Sequence, residues 1–91
     1  MSQSLFAKVK MYSTPWCPYC IRAKSLLKRK GVHYEDINVA VQPSLRKEMV
    51  ELTGRTSVPQ IFINEEPIGG CDELHMLEAS GKLDELLQAP A

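Results

Sequence analysis

The stretch Lys8-Val9-Lys10-Met11-Tyr12-Ser13-Thr14-Pro15-Trp16-Cys17-Pro18-Tyr19-Cys20 decides how the chain is read. Val9 and Met11 alternate with Lys8 and Lys10, the period of a strand with one buried face, so a first strand is expected over Lys8 to Ser13. Thr14, Pro15 and Trp16 break the alternation, and Pro15 argues against regular structure there. From Pro18 a helix is expected. Proline suits the first helical position, where its missing N–H would be unpaired anyway, and Cys17 then falls at the N-cap. Cys20, Ala23, Leu26 and Leu27 mark the buried face, and Arg22, Lys24 and Lys28 face water. Lys28, Arg29 and Lys30 followed by Gly31 end the helix. Two thiols separated by two residues thus stand where strand becomes helix. Such a pair either closes as a small disulfide ring or grips a soft metal, and by itself the motif leaves both open.

Downstream, a second strand is expected within Val32 to Val39, its far end blurred by a slip of phase near Asp36. After Gln42 and Pro43, the positions Leu45, Met49 and Leu52 mark a helical face that Gly54 stops. The loop Arg55-Thr56-Ser57-Val58-Pro59 enters a short apolar strand, Gln60 to Ile63. Asn64 to Pro67 has turn composition, and Ile68 begins a return strand that Gly69-Gly70 ends. Asp72 and Glu73 suit the first turn of a third helix with Leu74 and Leu77 buried. Beyond Gly81, the residues Leu83, Leu86 and Leu87 form a short final helix. The order β-α-β-α-β-β-α-α, with a right-handed first βαβ unit, implies an α/β fold in which a four-stranded mixed sheet is flanked by helices on both faces. A cysteine pair between strand and helix is the thioredoxin-like arrangement.

The whole chain, residues 1–91, is read as one domain with its core at about 9–87. Lysine plus arginine balance aspartate plus glutamate at 11 each, so no overall positive field draws nucleic acid or an anionic membrane. Met1 to Lys8 lacks a secretory apolar run, and no apolar stretch approaches the ~18 residues of a membrane helix, so a cytoplasmic protein is expected. Three cysteines make an odd number and fit poorly with a disulfide framework.

Three motifs, Cys17-Pro18-Tyr19-Cys20, Thr56-Ser57-Val58-Pro59 before a strand and Gly69-Gly70-Cys71-Asp72 at a helix start, occur in an order and spacing in which the chain resembles the dithiol glutaredoxins from about Val9 to Leu87. Cys71 is similar to a third cysteine of some bacterial members. The resemblance implies a glutathione-dependent thiol-disulfide oxidoreductase, with glutathione as co-substrate and no tightly bound cofactor. The implied partners are disulfide-containing and glutathionylated proteins, and the implied state is a monomer. Catalysis falls to Cys17 and Cys20. Glutathione contacts fall to Tyr19, Arg46, Ser57, Val58, Pro59, Gly70, Cys71 and Asp72. The sequence departs from the family at Thr14, where many members carry a lysine. Arg46 is then the candidate cation for the glycine carboxylate, ahead of Lys10 and Arg55.

In this setting Cys17 is the expected nucleophile, because a thiolate at a helix N-terminus meets unpaired N–H groups and the positive dipole end. Each pKa unit is worth about 1.36 kcal/mol, and a helix terminus supplies only ~0.3 to 2, so direct hydrogen bonds from the N–H groups of Tyr19 and Cys20 and from the Cys20 thiol must add to it. A lowered pKa makes Cys17 above all a better leaving group. Cys20 is the expected resolving thiol, half-buried on the core side. The resemblance implies a cis Val58–Pro59 bond that exposes the Val58 backbone to the cysteinyl part of glutathione. It also implies that Gly70, Cys71 and Asp72 hold the γ-glutamyl end, with the Asp72 carboxylate on its ammonium group. Tyr19 would form a side wall, and Cys71 reads as a buried small apolar residue. Three rival readings compete with this one: zinc on Cys17, Cys20, Cys71 and His75; a glutathione-assisted iron–sulfur cluster at Cys17, against which Pro18 argues; and a thioredoxin reduced by a flavoprotein. No metal site is expected.

Overall fold

The computed structural model describes residues 7–88. Its elements run β1 (Val9–Ser13), α1 (Pro18–Arg29), β2 (Tyr34–Asn38), α2 (Pro43–Thr53), β3 (Gln60–Ile63), β4 (Glu66–Gly69), α3 (Cys71–Ala79) and α4 (Lys82–Gln88). The strands lie in the order β2-β1-β3-β4, with β2 parallel to β1 and the pairs β1–β3 and β3–β4 antiparallel. The expected mixed four-stranded sheet and its parallel first unit are both present. The readings of Met1 to Phe6 and of the tail Ala89 to Ala91 lie outside the described residues.

The two faces of the sheet bury separate clusters. On one, Val9, Met11, Ile61 and Ile63 pack against Ala23, Leu26 and Leu27 of α1, Cys71 and Leu74 of α3, and Leu83 and Leu87 of α4. On the other, Tyr12 and Phe62 meet Val39 and Met49, with ring centroids 5.8 Å apart and edge to face. β1 is therefore covered on both faces. The expectation of one buried face and one solvated face fails from Tyr12 onward, because α2 lies over the second side. The Tyr12 hydroxyl donates to Glu48 of α2 at 2.5 Å, and burial foremost, with that hydrogen bond, pushes its pKa upward.

Other boundaries and faces differ from the sequence reading. β1 starts at Val9, and β2 is confined to Tyr34–Asn38. Leu52 is 52% exposed, and the inner face of α2 is made by Met49 with Leu45 and Val50. The hairpin turn is only Asn64-Glu65, at φ 52° and 70°, so β4 begins at Glu66 and not at Ile68. A two-residue turn with both residues at positive φ matches the twist of its flanking strands, and Pro67 is tolerated because β4 is an edge strand. Lys24 is not simply solvated: it pairs with Asp36 of β2 at 2.9 Å. Helix ends follow the sequence more closely, with Gly54 left-handed (φ 73°) at the α2 C-cap and Gly31 at φ 72° just beyond α1. Lys30 ties the end of α1 to Glu78 and Asp84, each at 2.8 Å.

Met49 is the one fully buried residue of α2. Met49→Ala should lower the unfolding free energy by about 2–5 kcal/mol in urea titrations, as cavity-forming core truncations do. An effect below ~1 kcal/mol would mean that α2 is held by its polar contacts instead.

Candidate active site

β1 and α1 place the cysteine pair. Ser13 ends the strand, Thr14 to Trp16 turn the chain, and Cys17 caps α1 in an extended conformation (φ −79°, ψ 123°) with Pro18 at its first position. Its carbonyl accepts the Ile21 N–H at 3.0 Å, which leaves the N–H groups of Tyr19 and Cys20 without helical acceptors. These groups point at the Cys17 sulfur. Burial pushes the thiol up, but the hydrogen bonds from the Cys20 and Tyr19 N–H groups and from the Cys20 thiol outweigh it, so the pKa lies below the ordinary thiol value. The three donors anticipated from the motif are the ones present.

Cys20 has the opposite environment. It is fully buried, and burial foremost raises its pKa; the Thr14 N–H, 3.5 Å from its sulfur, works against this, while Cys17 adds to the rise. One thiol is thus poised to ionise and its neighbour to stay protonated. Thr14 has a part that its side chain did not announce: it is buried, and its backbone, not a cation, serves the pair.

Val58–Pro59 is cis. The Cys17 thiol lies 3.9 Å from the Val58 carbonyl oxygen, so the loop before β3 forms the wall opposite α1. Tyr19 of α1, Ser57, Val58 and Pro59 of that loop, and Gly70, Cys71 and Asp72 at the start of α3 line one open cavity of about 260 Å³. A second, of about 590 Å³, shares Val58 and runs past Cys17 to Thr14, Trp16 and Arg46. Arg46 is therefore on the Cys17 side and away from the α3 end. One of its N–H groups donates to the Thr56 carbonyl at 2.7 Å, one of the five donors of the guanidinium.

The loop is braced from several sides. The buried Gln60 amide donates to the Ser57 carbonyl at 3.0 Å, and the Arg55 N–H reaches the Thr53 hydroxyl at 3.0 Å. Gly70 lets α3 approach closely, since a Cβ there would stand 3.0 Å from the Pro59 carbonyl oxygen, which would have to shift by a few tenths of an ångström. Glu73, read from sequence only as a dipole-complementing acid, accepts the Gly70 N–H at 2.8 Å and faces Arg55 at 3.6 Å. The Gly70-x-x-Glu73 spacing of a capping box was the available signal.

Cys71 is buried in the core cluster, and burial foremost raises its pKa. The His75 ring Nδ1–H donates to the Cys71 carbonyl at 2.9 Å, so that nitrogen has no lone pair to accept the thiol 3.5 Å away. Among the described residues no group of three or more Cys, His, Asp and Glu side chains converges on a metal position. Nor is any described helix long and apolar enough to cross a membrane.

The family model described as Glutaredoxin matches residues 9–68. A glutaredoxin of Pseudomonas aeruginosa is 57% identical over 81 residues, which cover 89% of this chain and 96% of that one. The solution structure of glutaredoxin from Brucella melitensis aligns with TM-score 0.82 at 50% identity, covering 92% of this chain and 91% of that one. A buckwheat glutaredoxin–glutathione complex aligns with TM-score 0.83 at 29% identity, covering 93% and 81%.

Two pH units below the ordinary thiol pKa of ~8.5, a free thiol is only about 1% ionised. There iodoacetamide should alkylate Cys17 alone and leave Cys20 and Cys71 unmodified, as read by peptide mass. Cys20→Ala removes one donor and should move the alkylation profile of Cys17 to higher pH; an unmoved profile would exclude the Cys20 thiol as a donor.

Proposed function

The chain belongs to the glutaredoxin family and is a glutathione-dependent disulfide oxidoreductase, and from that premise we propose that it works by a Cys17/Cys20 dithiol–disulfide cycle. The Cys17 thiolate attacks one sulfur of a protein disulfide, forming a mixed disulfide and releasing the other sulfur as a thiolate. Cys20 gives up its proton and attacks the Cys17 sulfur. The client leaves fully reduced, and a Cys17–Cys20 disulfide remains. A glutathione thiolate then attacks Cys17, releasing Cys20, and a second attacks the glutathione sulfur of the resulting mixed disulfide. Oxidised glutathione forms and Cys17 departs as thiolate. A glutathionylated client enters at the mixed-disulfide stage and needs only Cys17.

The observation that carries this reading is the unequal pair: a thiol lowered by converging N–H groups next to one raised by burial. The lowered group is the better leaving group in the final exchange, which returns the enzyme to its ionised form. Glutathione is assigned to the groove beside it. Its cysteinyl segment would pair with the Val58 backbone as an added strand does, Tyr19 and Ser57 would flank it, and its γ-glutamyl end would lie at Gly70, Cys71 and Asp72. The buckwheat relative, whose structure is of a glutathione complex, supports that assignment. Arg46, with donors to spare on the Cys17 side, takes the glycine carboxylate in place of a lysine at Thr14.

Cys20→Ser should retain turnover of a glutathionylated peptide with glutathione, glutathione reductase and NADPH while losing reduction of a protein disulfide. Loss of both activities would refute the division of labour. Asp72→Ala should raise the KM for the glutathionylated substrate about tenfold, the scale of one charge-assisted hydrogen bond, with kcat little changed. Unchanged kinetics would reduce Asp72 to a helix-end charge.

A further inference from the structure

We propose that Asp36 is a positioning residue for the resolving step: by holding together Ser13 at the end of β1 and Lys24 on α1, it keeps the Thr14 N–H aimed at the Cys20 sulfur. This rests on the reading of Cys20 as the resolving thiol. The Ser13 hydroxyl donates to one oxygen of the Asp36 carboxylate, Lys24 pairs with the other at 2.9 Å, and the Thr14 N–H lies 3.5 Å from the Cys20 sulfur. Lys24 stands four residues beyond Cys20, about one turn along the same face of α1. The contacts therefore close a circuit from Cys20 through β1 and β2 and back to α1.

Two clamps aim the Thr14 N–H. The Ser13 carbonyl, which belongs to the same peptide unit, accepts the Val39 N–H at 3.0 Å. Carbonyl and N–H point opposite ways in a trans peptide, so this bond turns the N–H away from Val39, and there it meets Cys20. Asp36 is the second clamp. It ties the Ser13 side chain and α1 to one point of β2, and so sets the distance between that peptide and the turn of α1 that carries Cys20.

Neither packing nor stability accounts for the chain. Val9, Met11 and Ser13 alternate along the α1 side of β1, and the third is a fully buried hydroxyl where the period calls for an apolar residue. The Lys24 and Asp36 side chains are 24% and 40% exposed, and pairs so open to water add little stability.

The resolving step needs what the chain holds in place. Burial foremost raises the Cys20 pKa, the Thr14 N–H is first among the groups that oppose it, and Cys17 adds to the rise. Once Cys17 is in a mixed disulfide it carries no charge, and its part in the rise disappears. The Thr14 N–H then remains to favour the attacking thiolate. In the step itself Cys20 loses its proton, the Cys17–Cys20 bond forms, and glutathione leaves as a thiolate that takes up a proton in turn.

The test mixes reduced protein rapidly with saturating glutathionylated peptide, quenches in acid and reads intact mass. This separates formation of the Cys17–glutathione disulfide from its closure to the Cys17–Cys20 disulfide. Asp36→Ala should slow closure about threefold or more and leave formation unchanged. A hydrogen bond to a charged group is worth about tenfold in ionisation, and a Brønsted slope of ~0.4–0.5 returns about threefold of that in nucleophilicity. Lys24→Ala should slow closure in the same sense, and Lys24→Arg, which keeps the pairing, should restore it. In Asp36→Ala the Thr14 amide proton should exchange with solvent at least threefold faster, while those of Met11 and Leu26, inside β1 and α1, keep their wild-type rates. Closure at the wild-type rate, equal slowing of formation and closure, or faster exchange at all three amides would overturn the role. A wild-type mixed disulfide that never closes would overturn the dithiol cycle, and this role with it.

Discussion

The site depends on one local fact: two backbone N–H groups at the start of α1, those of Tyr19 and Cys20, have no carbonyl to bond and find the Cys17 sulfur instead. Pro18 makes this possible. It pre-sets the first helical turn and removes a donor that would have been unused, so the helix starts sharply at the cysteine. The positive end of the α1 dipole favours the thiolate in the same sense, by ~0.3 to 2 kcal/mol. The same turn sends Cys20 inward, one residue of the buried stripe Cys20, Ala23, Leu26 and Leu27, and burial holds its proton. Opposite shifts in adjacent thiols therefore follow from one helix start on one sheet.

The wall facing the sulfur is a loop, and a loop makes a good wall only if it is held. Here side chains hold it from two directions, Arg46 from α2 to the Thr56 carbonyl and Gln60 from β3 to the Ser57 carbonyl, and the Gly70 backbone lies close to Pro59. Gln60 is a buried polar residue, and its amide satisfies the loop's own carbonyl, so burial and bracing are met together. Both faces of the sheet contribute to the groove. α1 and α3 come from one, and α2 brings Arg46 from the other.

Much of this was legible in sequence because it is local. Strand, loop, proline and cysteine pair within thirteen residues state their geometry by period and by the rules of helix starts. Glycines at 31 and 54 state the ends of α1 and α2 in the same way, and each has positive φ. The misreadings arose where a partner distant in sequence decides. Tyr12 shares the period of Lys8 and Lys10 and is nonetheless buried, by α2; Leu52 falls on the expected helical face and is exposed, because α2 meets the sheet through Met49 and Val50. Composition spreads the hairpin turn over Asn64 to Pro67, because Glu65 is an unusual choice for positive φ and Pro67 an unusual one for a strand.

The sequence by itself determined the element order and the position of Cys17 at a helix start, while the three segments of the groove were implied by the resemblance. The first two depend on residues a few positions apart, where spacing and backbone geometry are nearly the same thing. Only the tertiary structure decided what those segments do to one another. The Thr14 N–H reaches the Cys20 sulfur, Arg46 lies on the Cys17 side of the groove, and Glu73 stands between Gly70 and Arg55. Such contacts join side chains and backbone groups brought together by sheet order and helix packing, and neither the composition nor the period of the residues involved carries that information.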